Sequence, residues 1–155
     1  MELDDIRLFR ETMRHLQRSL NWQWKSDAAC CGINVAQCYA LLEGGNRGEI
    51  AQVELSSILG LDTSTLSRTI EGMAQDGIVE CKADPEDRRY INIVLAEQGK
   101  EVYGDINHTL DHYYAEIFAD IPADKHKQIV ESVNLLVSAI SNPNSSKCCK
   151  EELAK

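Results

Sequence analysis

Three groups of residues in this 155-residue chain have chemistry beyond filling space. Six cysteines include two adjacent pairs, Cys30-Cys31 and Cys148-Cys149, with Cys38 seven residues beyond Cys31 and Cys81 standing alone. Thiolates near a helix start are stabilised by its partial positive charge, which makes them better ligands and nucleophiles. Seven residues make about two helical turns. Cys31 and Cys38 can therefore share a face, and with Cys30 they form a candidate three-sulfur site for a soft metal or metalloid ion. Oxidation to a sulfenic acid or a disulfide is the competing use of the same thiols. The second group is His108 and His112, four apart, with Glu101 and Asp105 on the same helical face. The third is a run of hydroxyls with one guanidinium, Thr63, Ser64, Thr65, Ser67, Arg68 and Thr69, followed later by Asp87, Arg88 and Arg89. Short hydroxyls and a flat, forked cation suit hydrogen bonds to base edges and phosphates.

Each group also has a plainer reading. Cys38, on an apolar helix face, fits a small core residue. Cys81 fits an alternating strand, and Cys148-Cys149 fits incidental thiols of a tail. The histidine face can be solvated surface without metal. Asp87 can pair with Arg88 or Arg89 as a loop ion pair of little energetic weight, and Thr63 can serve only to start a helix. Adjacent thiols at Cys30-Cys31 serve no packing purpose, which favours sensing there.

The elements that must position these groups follow from apolar spacing. Ile6, Phe9, Met13, Leu16 and Leu20 predict a helix over 3–25, interrupted by Asp27 to Gly32. A second helix starts near Asn34 with Val35, Cys38, Leu41 and Leu42 inward, and Gly44-Gly45-Asn46 with Gly48 stops it. Ile50 to Val53 reads as a short strand or extended entry. Val53 to Leu59 makes a short helix, Gly60 a turn, and Asp62 the N-cap of a further helix anchored by Leu66, Ile70 and Met73 and ended by Gly77. Strands at Ile78–Lys82 and Tyr90–Leu95 enclose a charged loop, Ala83–Arg89. Two helices close the pattern. Residues 97–118 carry Val102, Ile106, Leu110, Tyr113 and Ile117, and a helix from Pro122 to about Ser141 carries Ile129, Val133, Leu136 and Ile140.

This order defines a mainly α chain with a small β-wing. A winged helix-turn-helix module at 46–96 is flanked by N- and C-terminal dimerisation helices, 1–45 and 97–141, within a single domain; 142–155 is expected to be a mobile tail. The long terminal helices have no partner of matching length within the chain, so a two-fold homodimer is expected, with two recognition helices about one DNA turn apart on a near-palindromic site.

Composition allows this and opposes it in one respect. Apolar content of 43% and charged content of 26% are ordinary for a globular chain. With no apolar signal at the N-terminus and no run near the roughly 18–20 residues that span a bilayer, a cytoplasmic protein with reduced thiols and no membrane contact is expected. Net charge is −9, and from Asn46 to Lys100 acidic residues outnumber basic ones by ten to six. Weak long-range attraction to a duplex follows. Arg47, Arg68, Lys82, Arg88 and Arg89 are the cations placed to offset it.

Leu61-Asp-Thr-Ser-Thr-Leu-Ser-Arg-Thr-Ile, Gly77-Ile-Val, Asp84-Pro-Glu-Asp-Arg-Arg and, more loosely, Leu95-Ala-Glu-Gln-Gly99 together resemble the MarR family of bacterial and archaeal regulators. Ala96 stands where the family commonly has a capping Thr. The resemblance covers nearly the whole chain in element order. It implies a homodimer on double-stranded DNA, most often a repressor released by a small molecule, metal or oxidant. It also implies that Ser64, Thr65, Ser67 and Arg68 approach bases and phosphates while Arg89, held by Asp87, enters the minor groove. Zinc-responsive members use a similar histidine pair, but their remaining ligands come from the first two helices, where this chain has cysteines, Asn21 and Tyr39. Trp22, Trp24 and Tyr39 can line an aromatic effector pocket or form dimer core.

No catalytic constellation is evident, and adjacent cysteines lack the two-residue separation of redox-active motifs. The expected function is therefore a non-enzymatic transcriptional regulator switched by a thiol-reactive signal or small ligand. A winged helix used for protein contact, or a regulator of a small aromatic ligand with structural cysteines, are the alternatives.

Overall fold

The computed structural model describes residues 2–30, 32–85, 87 and 89–141, with the side chains of 27–30 excepted. Two compact units are formed, residues 1–110 and 111–155.

In the first unit, α1 spans Leu3–Cys30 and α2 spans Val35–Arg47. β1 (Glu49–Ala51), α3 (Gln52–Leu59), α4 (Thr63–Gln75), β2 (Val79–Ala83) and β3 (Ile91–Leu95) follow, and α5 (Glu97–Ala119) begins here. The expected break at Asp27 does not occur. Ala28 and Ala29 favour helix, and α1 continues to Cys30 before Gly32, whose φ is +71°. Nor do Gly44 and Gly45 stop α2, which runs through them to Arg47. α2 is closely packed at Gly45, where a Cβ would lie 2.3 Å from the Tyr103 ring, whereas a Cβ on Gly44 would only make ordinary contact with Leu95. At the other end Asn34 and Gln37 form a reciprocal capping box, which satisfies donors that a helix start otherwise leaves unpaired.

The three strands form an antiparallel sheet in the order β1-β3-β2. Ile93 on the central strand sits opposite Ile50 on one side and Cys81 on the other. The core is built around Leu41, Ile50, Leu55, Leu66, Met73, Ile93 and Ile106, all essentially without solvent contact. Val102 and Leu110 of α5 pack against it. α5 reaches the sheet closely because residue 99 has no side chain: a Cβ at Gly99 would stand 1.9 Å from the Ile78 carbonyl oxygen. α1 is different. Ile6, Phe9 and Leu16, three of the five residues of its expected apolar stripe, remain exposed.

The second unit contains the end of α5 and α6, Ala123–Ile140, with Pro122 at the N-cap position. His126 Nε2 donates to the Ile121 carbonyl, 2.8 Å away, and the ring packs edge-on against Phe118. α6 buries no residue fully. Ile129 and Leu136 of the expected seam are half-buried, while Val133 and Ile140 face solvent. Among the described residues no helix is long and apolar enough to cross a membrane.

Candidate nucleic-acid interface

α4 owes its orientation to one face and its chemistry to the other. Leu66, Ile70 and Met73 are buried, at spacings of four and three, and fix the helix against the module. The turn before it is set by Gly60, in the left-handed region at φ +62°, which only glycine adopts at little cost. Buried Ser56 completes that turn by donating to the Leu61 carbonyl at 2.7 Å, so its hydroxyl is satisfied. With this face held, Thr63, Ser64, Thr65 and Arg68 are exposed on the opposite side.

Asp62 organises the first turn. Its carboxylate accepts from the Thr65 amide at 2.9 Å, from the Ser64 hydroxyl and from the Thr65 hydroxyl. The two hydroxyls and the amide, in that order of importance, hold the carboxyl well below the usual aspartate range. Ser67 is half-buried, and its oxygen accepts from the Gln52 side chain at 3.1 Å. Thr69 is turned onto its own helix, donating to the Thr65 carbonyl. Among the described residues no carboxylate pairs with Arg68.

At the wing, Asp87 grips Arg89 from both sides. The Arg89 Nε donates to both carboxylate oxygens at 3.0 and 3.1 Å, and Nη2 to Oδ2 at 2.6 Å. The guanidinium nonetheless remains 85% exposed. This pairing lowers the Asp87 carboxyl and raises the Arg89 guanidinium. The loop beneath is tied by Asp84, which accepts from the Asp87 amide and from the Asn92 side chain, and Asn92 also donates to Glu49 of β1.

Two of the expected cations are already engaged. Arg47 contacts Glu43 and Glu54, at 3.5 and 3.0 Å, and Lys82 contacts Glu80 at 3.3 Å. In the described module Arg68 therefore stands without a carboxylate partner, while Arg89 at the wing tip is paired with Asp87 yet remains exposed. Arg88 lies outside the described residues.

Of the cysteines, only the side chains of Cys38 and Cys81 fall among the described residues. Cys38 is wholly buried among the core residues. Cys81 is pushed up from the ordinary thiol value, first by burial and then by Glu71, which makes it a poor nucleophile. Cys31, Cys148, Cys149 and the side chain of Cys30 lie outside the described residues. His108 and His112 are both exposed, and His112 Nδ1 is 3.6 Å from Glu116. Among the described residues, no group of three or more His, Cys, Asp or Glu is arranged to hold a metal ion. Trp24 and Tyr39 stack at 4.8 Å and help line a hollow of about 320 Å³ with Met13, Leu16, Gln17, Leu20 and Asn21. Trp22 is not part of it and is 72% exposed.

Residues outside the expected set matter as positioning groups: Gln52 for Ser67, and Asp84 with Asn92 for the wing. Nothing in sequence spacing joins Gln52 to Ser67, fifteen residues away.

A buried-faced helix, set by a tight turn behind a shorter helix and followed by a β-wing, defines a winged helix-turn-helix protein. Residues 32–89 match the model described as the MarR family. A Bacillus subtilis relative named as an uncharacterized HTH-type transcriptional regulator, YdgJ, is 23% identical over 114 residues, covering 74% of this chain and 70% of its own length. A solved MarR family protein from Bacillus stearothermophilus superposes with a TM-score of 0.83 at 17% identity, over 90% of this chain and 98% of that one. A MarR transcriptional regulator from Methanosarcina mazei Go1 superposes with a TM-score of 0.74 at 22% identity, over 86% and 96%. The chain thus has the winged helix-turn-helix fold of these MarR-type regulators, and its residues 32–89, which hold the recognition helix and wing, are similar to that family in sequence.

Proposed function

We propose that two copies of this chain bind a near-palindromic duplex site, with α4 of each in successive major grooves and Arg89 in the flanking minor groove, and thereby repress transcription until an effector binds. The observation that carries this reading is α4 itself. Its apolar face is locked into the core, while Ser64, Thr65 and Arg68, which pairs with no carboxylate among the described residues, stand exposed one turn apart. Arg89 projects from a wing whose backbone is pinned by Asp84 and whose guanidinium is pre-oriented by Asp87. Pre-orientation reduces the side-chain entropy lost on binding. The homodimer is supported by the apolar residues that α1 and, within its own unit, α6 leave exposed. Two recognition helices about 34–36 Å apart would then match one helical repeat.

Two effector classes fit. Cys38 is buried, and burial followed by Glu71 disfavours the Cys81 thiolate, so a thiol-reactive signal, a soft metal, metalloid or oxidant, would use Cys30 and Cys31 or the tail pair Cys148 and Cys149. A small apolar or aromatic ligand would instead use the hollow beside Trp24 and Tyr39, whose Gln17 and Asn21 supply polar anchors.

The test is mobility shift and fluorescence anisotropy with duplexes selected from a random pool, on reduced protein and then with peroxide, Zn²⁺ and arsenite separately. Specific retardation by wild type, weakened about tenfold in Arg68→Ala, supports the DNA reading. Loss of the effector response only in Cys30→Ser/Cys31→Ser assigns it to the thiols. The acidic surplus around the module favours one rival, a winged helix that contacts protein. Absence of any retained duplex at low salt would overturn the DNA reading and favour that rival.

A further inference from the structure

We propose that the first turn of α4 selects the exocyclic amino groups of adenine or cytosine, because Asp62 converts Ser64 and Thr65 into hydrogen-bond acceptors. The inference rests on the DNA-binding reading and adds the class of base edge that this turn reads.

The argument is one of proton counting. An ionised carboxylate only accepts, and a hydroxyl has a single proton to donate. Ser64 Oγ lies 2.5 Å from Asp62 Oδ1 and Thr65 Oγ1 lies 2.6 Å from Asp62 Oδ2. Both protons are therefore committed inward, and what each hydroxyl presents outward is lone pairs. In the major groove the complementary donors are adenine N6 and cytosine N4, whereas guanine O6 and N7, thymine O4 and the phosphates are acceptors. The Asp62 charge beneath the hydroxyls reinforces this, repelling phosphate from a helix start that would otherwise attract it. Asp62 also stays ionised throughout the range in which duplex DNA is intact, its carboxyl being held low by these same partners.

The next turn has the opposite polarity. Ser67 Oγ accepts from Gln52, which leaves its proton available, and Arg68 can only donate. α4 thus presents an acceptor turn followed by a donor turn. A half-site should accordingly show amino-bearing bases under residues 64 and 65 and an acceptor-bearing base or phosphate under Arg68. Asp62 is a positioning residue here: it acts through the two hydroxyls it orients.

The full-length protein tests this against a duplex enriched from a random pool. That duplex is remade with each adenine in turn replaced by purine and each cytosine by pyrimidin-2-one, which delete the exocyclic amino group. Wild type should lose about fivefold in affinity at one or two positions per half-site. In Ser64→Ala/Thr65→Val the same replacements should cost nothing relative to that variant's own parent affinity. Asp62→Asn retains a good helix cap but offers an amide donor, frees a hydroxyl proton, and should shift preference at one of these positions toward guanine or thymine. Wild type binding every amino-deleted duplex as tightly as the parent would overturn the inference while leaving the DNA reading intact. So would a cost that persists undiminished in the double variant. Failure to enrich any duplex removes the DNA reading and this inference with it.

Discussion

The winged-helix module and the terminal helices solve the problem of apolar surface in opposite ways. In the module, Leu55, Leu66, Met73 and Ile93 leave no exposed area, and even the single buried hydroxyl, Ser56, is paired. In α1 and α6 the described residues bury little: Phe9 and Leu16 on one, Val133, Leu135 and Ile140 on the other, stay open. One chain contains the whole core of the module and only half of the apolar contact its long helices are patterned to make. Stability should reside in the module and assembly in the helices, and substitutions can separate the two.

The largest effect should come from the closed core. Leu66→Ala removes a fully buried side chain at the helix that carries the interface, and should cost about 3 kcal/mol in urea unfolding. Gly99→Ala should be at least as damaging, since its methyl would stand inside the contact distance of the Ile78 carbonyl. Either variant unfolding at the wild-type urea midpoint would show that the core is not where stability lies. The open helices should behave differently. Val133→Asp/Ile140→Asp places charge on already exposed positions, so the folded chain should persist while sedimentation gives half the wild-type mass. DNA affinity should fall about a hundredfold through loss of the second half-site. A variant that remains dimeric would remove α6 from the interface.

A smaller effect is expected within the module's surface. Arg68→Ala should weaken operator binding about tenfold and leave stability within about 0.5 kcal/mol of wild type. Lys82→Ala should do much less, because Lys82 is held by Glu80. Comparable losses from the two would mean that charge density, rather than the positioned guanidinium, drives binding.

What could be read from sequence was whatever is local. Leu66, Ile70 and Met73 announced the buried face of α4 by spacing, and Asp62 announced its cap by residue type. The engagement of Arg47 by Glu43 was missed, because the helix was expected to stop at Gly44-Gly45-Asn46 and it runs on to Arg47. Gly44 and Gly45 misled because glycine ends helices and also permits close packing, and at Gly45 only the position of Tyr103 tells the two apart. The Gln52–Ser67 and Asn92–Asp84–Glu49 bonds were illegible for a similar reason. They join different elements, and their partners become neighbours only once the sheet and helices have packed.

The smallest expected effect sharpens the comparison at the interface itself, through acid. Asp62 has its folded-state pKa depressed, first by Ser64 and then by Thr65, relative to an unfolded value near 3.9. As pH falls, the unfolded chain therefore takes up the proton before the folded one. The contribution of the cap is fully present above about pH 5, begins to fall as pH passes below the unfolded value, and continues to fall toward the lower folded value. Asp62→Asn keeps a capping oxygen but has no proton to take up. The difference in Tm between wild type and this variant should thus be constant above about pH 5 and move against the wild type below about pH 4. Other carboxylates, Asp87 included, titrate in both proteins and cancel in the difference. A gap that stays flat down to pH 2.5 would mean that Asp62 is not the charged acceptor that orients Ser64 and Thr65.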